Sequence, residues 1–70
     1  MKITINGEQR SIEQPQKLLT LATLIKLLGH NPRLIVVEFN GAILPPQNWD
    51  TQEIKDADSL EIVTIVGGGS

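Results

Sequence analysis

The residues of this chain that could take part in chemistry lie in its last segment. Residues 60–66 are apolar and rich in β-branched side chains, and Gly67, Gly68, Gly69 and Ser70 follow them. The apolar run predicts a buried or half-buried strand. Glycine has no side chain, so the tail could enter a narrow active site and present a terminal carboxylate there. Composition alone equally allows a flexible glycine-serine linker.

The remaining residue types offer little catalytic chemistry. Cysteine is absent, which excludes a disulfide framework, a thiolate zinc site and a thiol nucleophile. His30 is the single histidine and has no ligand or nucleophile near it in sequence, so we expect a surface or helix-capping residue. A chain of 70 residues makes one small domain with little room for a deep pocket. An independent enzyme is therefore the least favoured interpretation.

Charge divides the chain into two halves. Up to Val37 there are five basic and two acidic residues, and from Glu38 onward there are six acidic residues and only Lys55. The basic residues are scattered and lack interleaved aromatic side chains, which argues against nucleic-acid binding. The acidic half is either a solvated face or a docking surface for a basic partner. If the acidic half is a docking surface, charge reversal of several of its acidic residues should weaken binding of the partner. These residues are Asp50, Glu53, Asp56, Asp58 and Glu61.

The beginning of the chain gives no sign of a membrane or of export. Met1 and Lys2 lead directly into alternating residues without a signal peptide, and no apolar run is long enough to span a bilayer. We expect a cytoplasmic protein.

The first half predicts a hairpin and a helix. Residues 2–6 alternate, with Ile3 and Ile5 inward, and Asn6-Gly7 is a strong turn signal. The chain should return over residues 8–14 with Ile12 inward and end at Pro15. A helix is predicted over residues 18–29, with Thr20 as N-cap, Gly29 closing the C-terminus and an apolar stripe. The stripe consists of Leu21, Leu24, Ile25 and Leu28.

The second half predicts strands separated by turns. We expect a strand over residues 34–39, a turn at Asn40-Gly41 and a short continuation over residues 42–44 that Pro45-Pro46 ends. Residues 47–50 suit a single helical turn, and Trp49 is interpreted as a packing anchor rather than a binding contact. The remaining predictions are a short edge strand over residues 53–55, a turn rather than a metal loop over residues 56–59, and a closing strand over residues 60–66.

These elements predict an α+β domain, with a mixed sheet of four to five strands packed on one helix. The first and last strands should pair in parallel at the centre of the sheet. Residues 1–66 would form this domain and residues 67–70 a flexible tail, whose root the last strand would hold.

Several of these residues resemble a known family. They are Asn40-x-x-Ile43-Leu44-Pro45 with Trp49 four residues later, Asp56-x-Asp58, and the Gly-Gly near the end of the sequence. The chain resembles the ThiS family, the sulfur carriers of thiazole formation in thiamine synthesis. The resemblance covers nearly all of the chain and implies a β-grasp, or ubiquitin-like, fold.

The resemblance also implies a mechanism. A ThiF-type, E1-like adenylyltransferase would activate the Gly69 carboxylate with ATP, and a sulfur donor protein would supply the sulfur of a thiocarboxylate. A ThiG-type thiazole synthase would accept that sulfur. Gly67 and Gly68 would enter the partners' active sites. The chain would be a monomeric cosubstrate rather than an enzyme, with no bound cofactor or metal.

Two residues depart from the family pattern, and two rival functions remain. Ala57 stands where the family often has glycine, a minor matter if φ is negative there. Ser70 follows the expected terminal glycine, so it is removed, or it is not native, or the chain as written cannot be activated. The rivals are a sulfur carrier of molybdopterin synthesis and a non-conjugating ubiquitin-like interaction module.

Overall fold

The computed structural model of the protein describes residues 1–13 and 18–65. These residues form one helix and five strands. The strands make a single five-stranded sheet in the order β2-β1-β5-β3-β4. The elements are β1 (Lys2–Ile5), β2 (Glu8–Ser11), α1 (Leu21–Leu27), β3 (Ile35–Phe39), β4 (Ala42–Ile43) and β5 (Ser59–Thr64), with 3₁₀ turns at Pro32–Leu34 and Pro46–Asn48. Pro15 and Val66, the predicted ends of two strands, lie outside the described residues.

The first hairpin is confirmed. β1 pairs antiparallel with β2, and the turn residues Asn6 and Gly7 have φ of 52° and 81°. Positive φ at both central positions is what a tight two-residue turn requires, and asparagine and glycine tolerate it best. Ile3 and Ile5 are buried as predicted. Ile12 lies beyond the end of β2, where it packs partly buried against the core.

The predicted N-cap at Thr20 is confirmed, and the helix is shorter than its predicted range of residues 18–29 because that cap sets its start. The Thr20 hydroxyl accepts a bond from the Thr23 N–H at 3.3 Å, so α1 begins at Leu21 and not at residue 18. At the other end, Gly29 has φ of 80°, and the Gly29 and His30 N–H groups donate to the carbonyls of Lys26 and Ile25. This is a Schellman closure, so the predicted C-terminus is confirmed.

The predicted edge strand over residues 53–55 is wrong. Glu53 makes only an isolated bridge to Thr20, and the Ile54 N–H donates to the Leu19 carbonyl at 2.7 Å. Leu19 and Ile54 are both buried. The chain just before the helix therefore holds this segment against the core, away from the edge of the sheet.

The Ala57 turn also differs from its prediction. Residues 56–58 do form a turn, but Ala57 has φ of 72° rather than a negative value. An L-residue with a Cβ is strained in that region, so the alanine costs stability there. Alanine instead of glycine at position 57 therefore strains the backbone of this turn.

The centre of the sheet is β5, as expected from the pairing of first and last strands. β5 lies parallel to β1 and antiparallel to β3. The helix covers one face, and the core lies between helix and sheet, which confirms the α+β architecture. The buried core residues are Ile3, Ile5, Leu19, Leu21, Leu24, Ile25, Ile35, Val37, Trp49, Ile54, Leu60 and Ile62.

Candidate functional site

The predicted carboxyl-bearing tail begins just beyond the last described residue, Ile65. Gly67, Gly68 and Gly69, the predicted site residues, lie outside the described residues, as does Ser70. The structure therefore shows the support of the tail. β5 carries the chain to Ile65, whose N–H donates to the Leu34 carbonyl at 2.6 Å. The backbone is hydrogen-bonded to the sheet up to the residue before Val66.

Asn6 anchors β5 from the first hairpin. Its side-chain Oδ1 accepts a bond from the Ile62 N–H at 2.7 Å, and its Nδ2 donates to the Ile62 carbonyl at 3.2 Å. The amide thus imitates the paired donor and acceptor of a neighbouring strand. Beyond the end of β1, the amide continues the hydrogen bonding along β5 in the direction of the tail.

Asn40, in the second tight turn, also anchors β5 by hydrogen bonds. Its Oδ1 accepts from the Ser59 N–H at 2.9 Å, and its backbone N–H donates to the Ser59 carbonyl at 2.8 Å. Its Nδ2 also donates to Asp58 Oδ1 at 3.1 Å. The sequence predicts both Asn-Gly pairs as turns, but it does not predict that their side chains hold the last strand. A pair of Asn-Gly turns beside one strand is the signal that could have suggested it.

An apolar patch lies on the face of the sheet opposite the helix. We define the outer patch as Val36, Ile43, Val63 and Ile65. Val36 pairs directly with Val63 across β3 and β5, and Ile43 on β4 follows from the β3 pairing. Ile43, Val63 and Ile65 are 67%, 60% and 49% exposed. Exposed apolar side chains grouped beside the tail are typical of an interaction surface.

A groove of about 510 Å³ adjoins this patch. Ile65, Val36 and Ile43 line it together with prolines and Trp49. It arises because β4 pairs only with Glu38 and Phe39, which leaves the beginning of β3 without a neighbouring strand on that side among the described residues. The sequence indicated the cause, since Pro45-Pro46 ends β4, but not the groove.

Trp49 is a packing residue, as predicted. It is 4% exposed within the core, and its indole N–H donates to the Leu44 carbonyl at 2.9 Å. A buried indole needs such a partner. Part of its surface lines the groove, so Trp49 also fixes the groove's shape.

The acidic residues of the second half differ in whether they make structural hydrogen bonds. Asp56 Oδ1 accepts from the Lys2 N–H at 2.7 Å, and Asp58 Oδ2 accepts from the Lys55 N–H at 2.7 Å. These two carboxylates hold the turn before β5. Charge reversal there would disturb the fold and not only a docking surface. Glu61, by contrast, is exposed in β5 and takes no part in that turn.

His30 lies at the closed end of the helix, where its backbone N–H caps α1 as expected. It is half-buried beside a pocket of about 310 Å³, lined also by Ile5, Asn6, Glu8, Arg10 and Leu28. Within residues 1–13 and 18–65, no three of the metal-binding residue types group together. No helix in that part of the chain could cross a membrane.

Fold and site together define a class. A mixed sheet with β1 and β5 parallel at its centre, one helix on one face and a central last strand leading into a glycine tail describes a β-grasp, ubiquitin-like protein. A crystal structure of the thiamine biosynthesis protein (ThiS) from Geobacter metallireducens superposes with a TM-score of 0.83 at 28% identity, and the match covers 99% of this chain and 100% of that one.

Sequence comparison gives the family. The ThiS family model matches residues 3–69. An uncharacterized protein of Porphyra purpurea, ycf40, is 39% identical over 69 residues, which are 99% of this chain and 93% of that protein. The chain belongs to the ThiS family, and the expected β-grasp fold is confirmed.

A further relative is a larger protein. A thiazole synthase of Paramagnetospirillum magneticum is 39% identical over 70 residues, which are all of this chain but 21% of that protein. The corresponding match to a thiazole synthase of Magnetococcus marinus covers 20% of it at 33% identity. The chain spans about a fifth of the thiazole synthases it matches.

Proposed function

We propose that this protein is the sulfur carrier of thiamine synthesis, with the Gly69 carboxylate as its reactive group. Family membership supports a thiamine sulfur-carrier role. The observation that carries the proposal is that β5, the central strand, leads directly into the glycine segment that the ThiS model includes up to residue 69.

The proposed chemistry activates the carboxylate before it takes sulfur. A carboxylate is a poor electrophile, so a ThiF-type adenylyltransferase joins it to AMP from ATP, with loss of pyrophosphate. The outer sulfur of a persulfide on the donor protein then attacks the carbonyl and AMP leaves, which gives an acyl disulfide between carrier and donor. A second thiol, on a partner because this chain has no cysteine, cleaves the S–S bond and releases the thiocarboxylate, with a disulfide left on the partner. Gly69 has no side chain to obstruct this attack. In this scheme ATP is consumed by the activating enzyme, and the carrier itself binds no cofactor.

The carrier's own part is to present the tail. The bonds from Asn6 and Asn40 to β5 fix the strand that precedes the tail. Gly67 and Gly68, which have no side chains, are the residues that the partner active sites would admit. No side chain of the carrier needs to act as a catalyst, so the protein is a cosubstrate rather than an enzyme. The reaction requires a chain that ends at Gly69, and Ser70 must be absent or removed.

Thiazole synthase is the proposed acceptor of the sulfur. The matching segment within the two larger relatives supports this choice, because it places a ThiS-like sequence and a thiazole synthase in one polypeptide. No comparable observation favours the molybdopterin pathway.

A reconstituted reaction tests the function. Thiazole formation is measured with the activating enzyme, the sulfur donor, thiazole synthase and either a chain ending at Gly69 or one ending at Gly67. We expect product only with the Gly69 chain, while both bind thiazole synthase through the folded domain. Equal product from the Gly67 chain would contradict the carrier role and leave the interaction-module interpretation.

A further inference from the structure

The strand β2 leaves one edge of the sheet open. Among the described residues it pairs only with β1, and all four of its residues are exposed. The Ile12 N–H donates to the Met1 carbonyl at 2.8 Å, and the bonds of an antiparallel ladder recur at every second residue. Arg10 and Glu8 therefore direct their backbone groups to β1, whereas the N–H and C=O of Gln9 point to the open edge. An edge of this kind can pair with another strand.

Two side chains of opposite charge lie on the helix side of β2. Glu8 is registered opposite Ile5, which is buried in the core between helix and sheet. Arg10 is registered opposite Ile3, which is buried in the same core. Because directly opposed residues of paired strands share a face of the sheet, the two charged side chains lie on the helix side. Both also line the pocket of about 310 Å³ beside His30, on that side of the sheet.

Two copies of this edge complement each other in one register. Only alternate residues present backbone groups to the edge, so the two-fold axis of an antiparallel pair of β2 strands has to pass through a residue. With the axis at Gln9, the two Gln9 residues exchange both backbone bonds, and Glu8 of each copy faces Arg10 of the other. An axis at Glu8 or at Arg10 instead places like charges directly opposite each other, which destabilises a sheet.

We propose that this protein forms a two-fold symmetric dimer, in which two β2 strands pair and join the two five-stranded sheets into one. Charged side chains on an edge strand usually prevent such pairing. Here the sequence Glu8-Gln9-Arg10 is complementary to its own reverse, so its charges favour a second copy of this chain. Two cross-strand ion pairs and the two bonds between the Gln9 residues hold the interface. The dimer differs from the monomer that the family resemblance implies.

The dimer interface lies away from the candidate functional site. β2 is at one edge of the sheet, and β1 separates it from β5. The outer patch and the groove involve β3, β4 and the end of β5, so both stay open in each copy. The inference therefore goes beyond the proposed function and does not depend on the chemistry of Gly69.

Sedimentation equilibrium of the whole chain, at concentrations from about 10 µM to about 1 mM, tests the proposal. The variants are Arg10→Glu, Glu8→Arg and the double variant that exchanges the two charges. Arg33→Glu is the matched control, because it changes the net charge as Arg10→Glu does, at an exposed residue outside β2. Urea unfolding shows whether each variant is folded.

We expect the mass of the unchanged chain to rise toward that of a dimer with concentration. Arg10→Glu and Glu8→Arg should each associate about tenfold more weakly or worse, because two attractions become two repulsions. The double variant should recover the association constant of the unchanged chain within about threefold, since opposite charges face each other again. For the same reason, an equimolar mixture of the two single variants should form heterodimers. Arg33→Glu should associate within about twofold of the unchanged chain.

Three results would overturn the proposal. A monomer at every concentration would do so and would leave the edge of β2 to a strand of a different protein. Equal association of the unchanged chain and the Arg10→Glu variant would show that the copies meet through another face. A double variant that associates as weakly as the single variants would show that Glu8 does not face Arg10 of the second copy.

Discussion

At the residue scale, Asn6 combines two properties that no other residue type supplies together. Its backbone has φ of 52°, and its side chain bonds to both backbone groups of Ile62. Asn6→Ala removes both bonds and places an alanine at positive φ. We expect a loss of about 2–4 kcal/mol in the free energy of unfolding, measured by urea denaturation.

Asn6→Gly separates the two contributions, because glycine accepts positive φ without strain but cannot make the bonds. We expect it to cost about 1–2 kcal/mol. Asn48→Ala, at an exposed asparagine, serves as the control and should change stability by less than about 0.5 kcal/mol. Wild-type stability of the Asn6→Gly variant would show that the side-chain bonds to β5 contribute nothing.

At the scale of elements, the turn before β5 can be improved. Ala57 has φ of 72°, and its N–H donates to the Lys2 carbonyl at 2.8 Å. Ala57→Gly keeps that bond and removes the strain, which exceeds the entropy cost of glycine in the unfolded chain. We expect a gain of about 0.5–1 kcal/mol in the free energy of unfolding, seen as a rise in the thermal midpoint.

The same substitution inside the helix provides the control. Ala22 lies in α1 and should lose about 1 kcal/mol on change to glycine, because the helical backbone gains nothing from a missing Cβ. A loss of stability at both positions would show that the positive φ of Ala57 imposes no strain.

The elements themselves were largely predictable from the sequence. The Asn-Gly turns, the stripe of α1 and its closure at Gly29 are local patterns with one favoured structure. The N-cap at Thr20 was predicted as well, whereas the segment around Ile54 was not predictable in the same way. The Ile54 N–H donates a hydrogen bond to the Leu19 carbonyl, which holds Ile54 at the core. The two residues are 35 positions apart in the sequence, so no local pattern encodes this contact.

The anchoring of the last strand was not predictable from the sequence. Residue types indicated that a terminal carboxylate could react, and the family resemblance assigned it to Gly69, which stays a prediction; neither indicated that asparagine side chains would anchor β5. The run over residues 60–66 predicted a buried or half-buried strand, and β5 is a half-buried one in its described part, with Leu60 and Ile62 buried and Val63 60% exposed. Only the register shows that Val63 shares the exposed face with Val36, because a one-residue shift would exchange the two faces.

At the scale of the whole molecule, the proposed function gives the folded part of the chain the role of a support and assigns the chemistry to Gly69. The sheet places its anchored central strand, the outer patch and the groove at the same end from which residues 66–70 continue. In the proposed function, partners hold the folded part and act on Gly69. Changes to the support should therefore alter binding and stability, and loss of the terminal glycines should abolish sulfur transfer.

Intact mass spectrometry tests most directly whether the Gly69 carboxylate carries sulfur. A chain ending at Gly69 and the 70-residue chain are each incubated with ATP, a ThiF-type activating enzyme and a sulfur donor. We predict that the Gly69 chain gains the mass expected for replacement of one oxygen by sulfur, and that the longer chain does so only after losing Ser70. An unchanged mass of the Gly69 chain under these conditions would contradict the account.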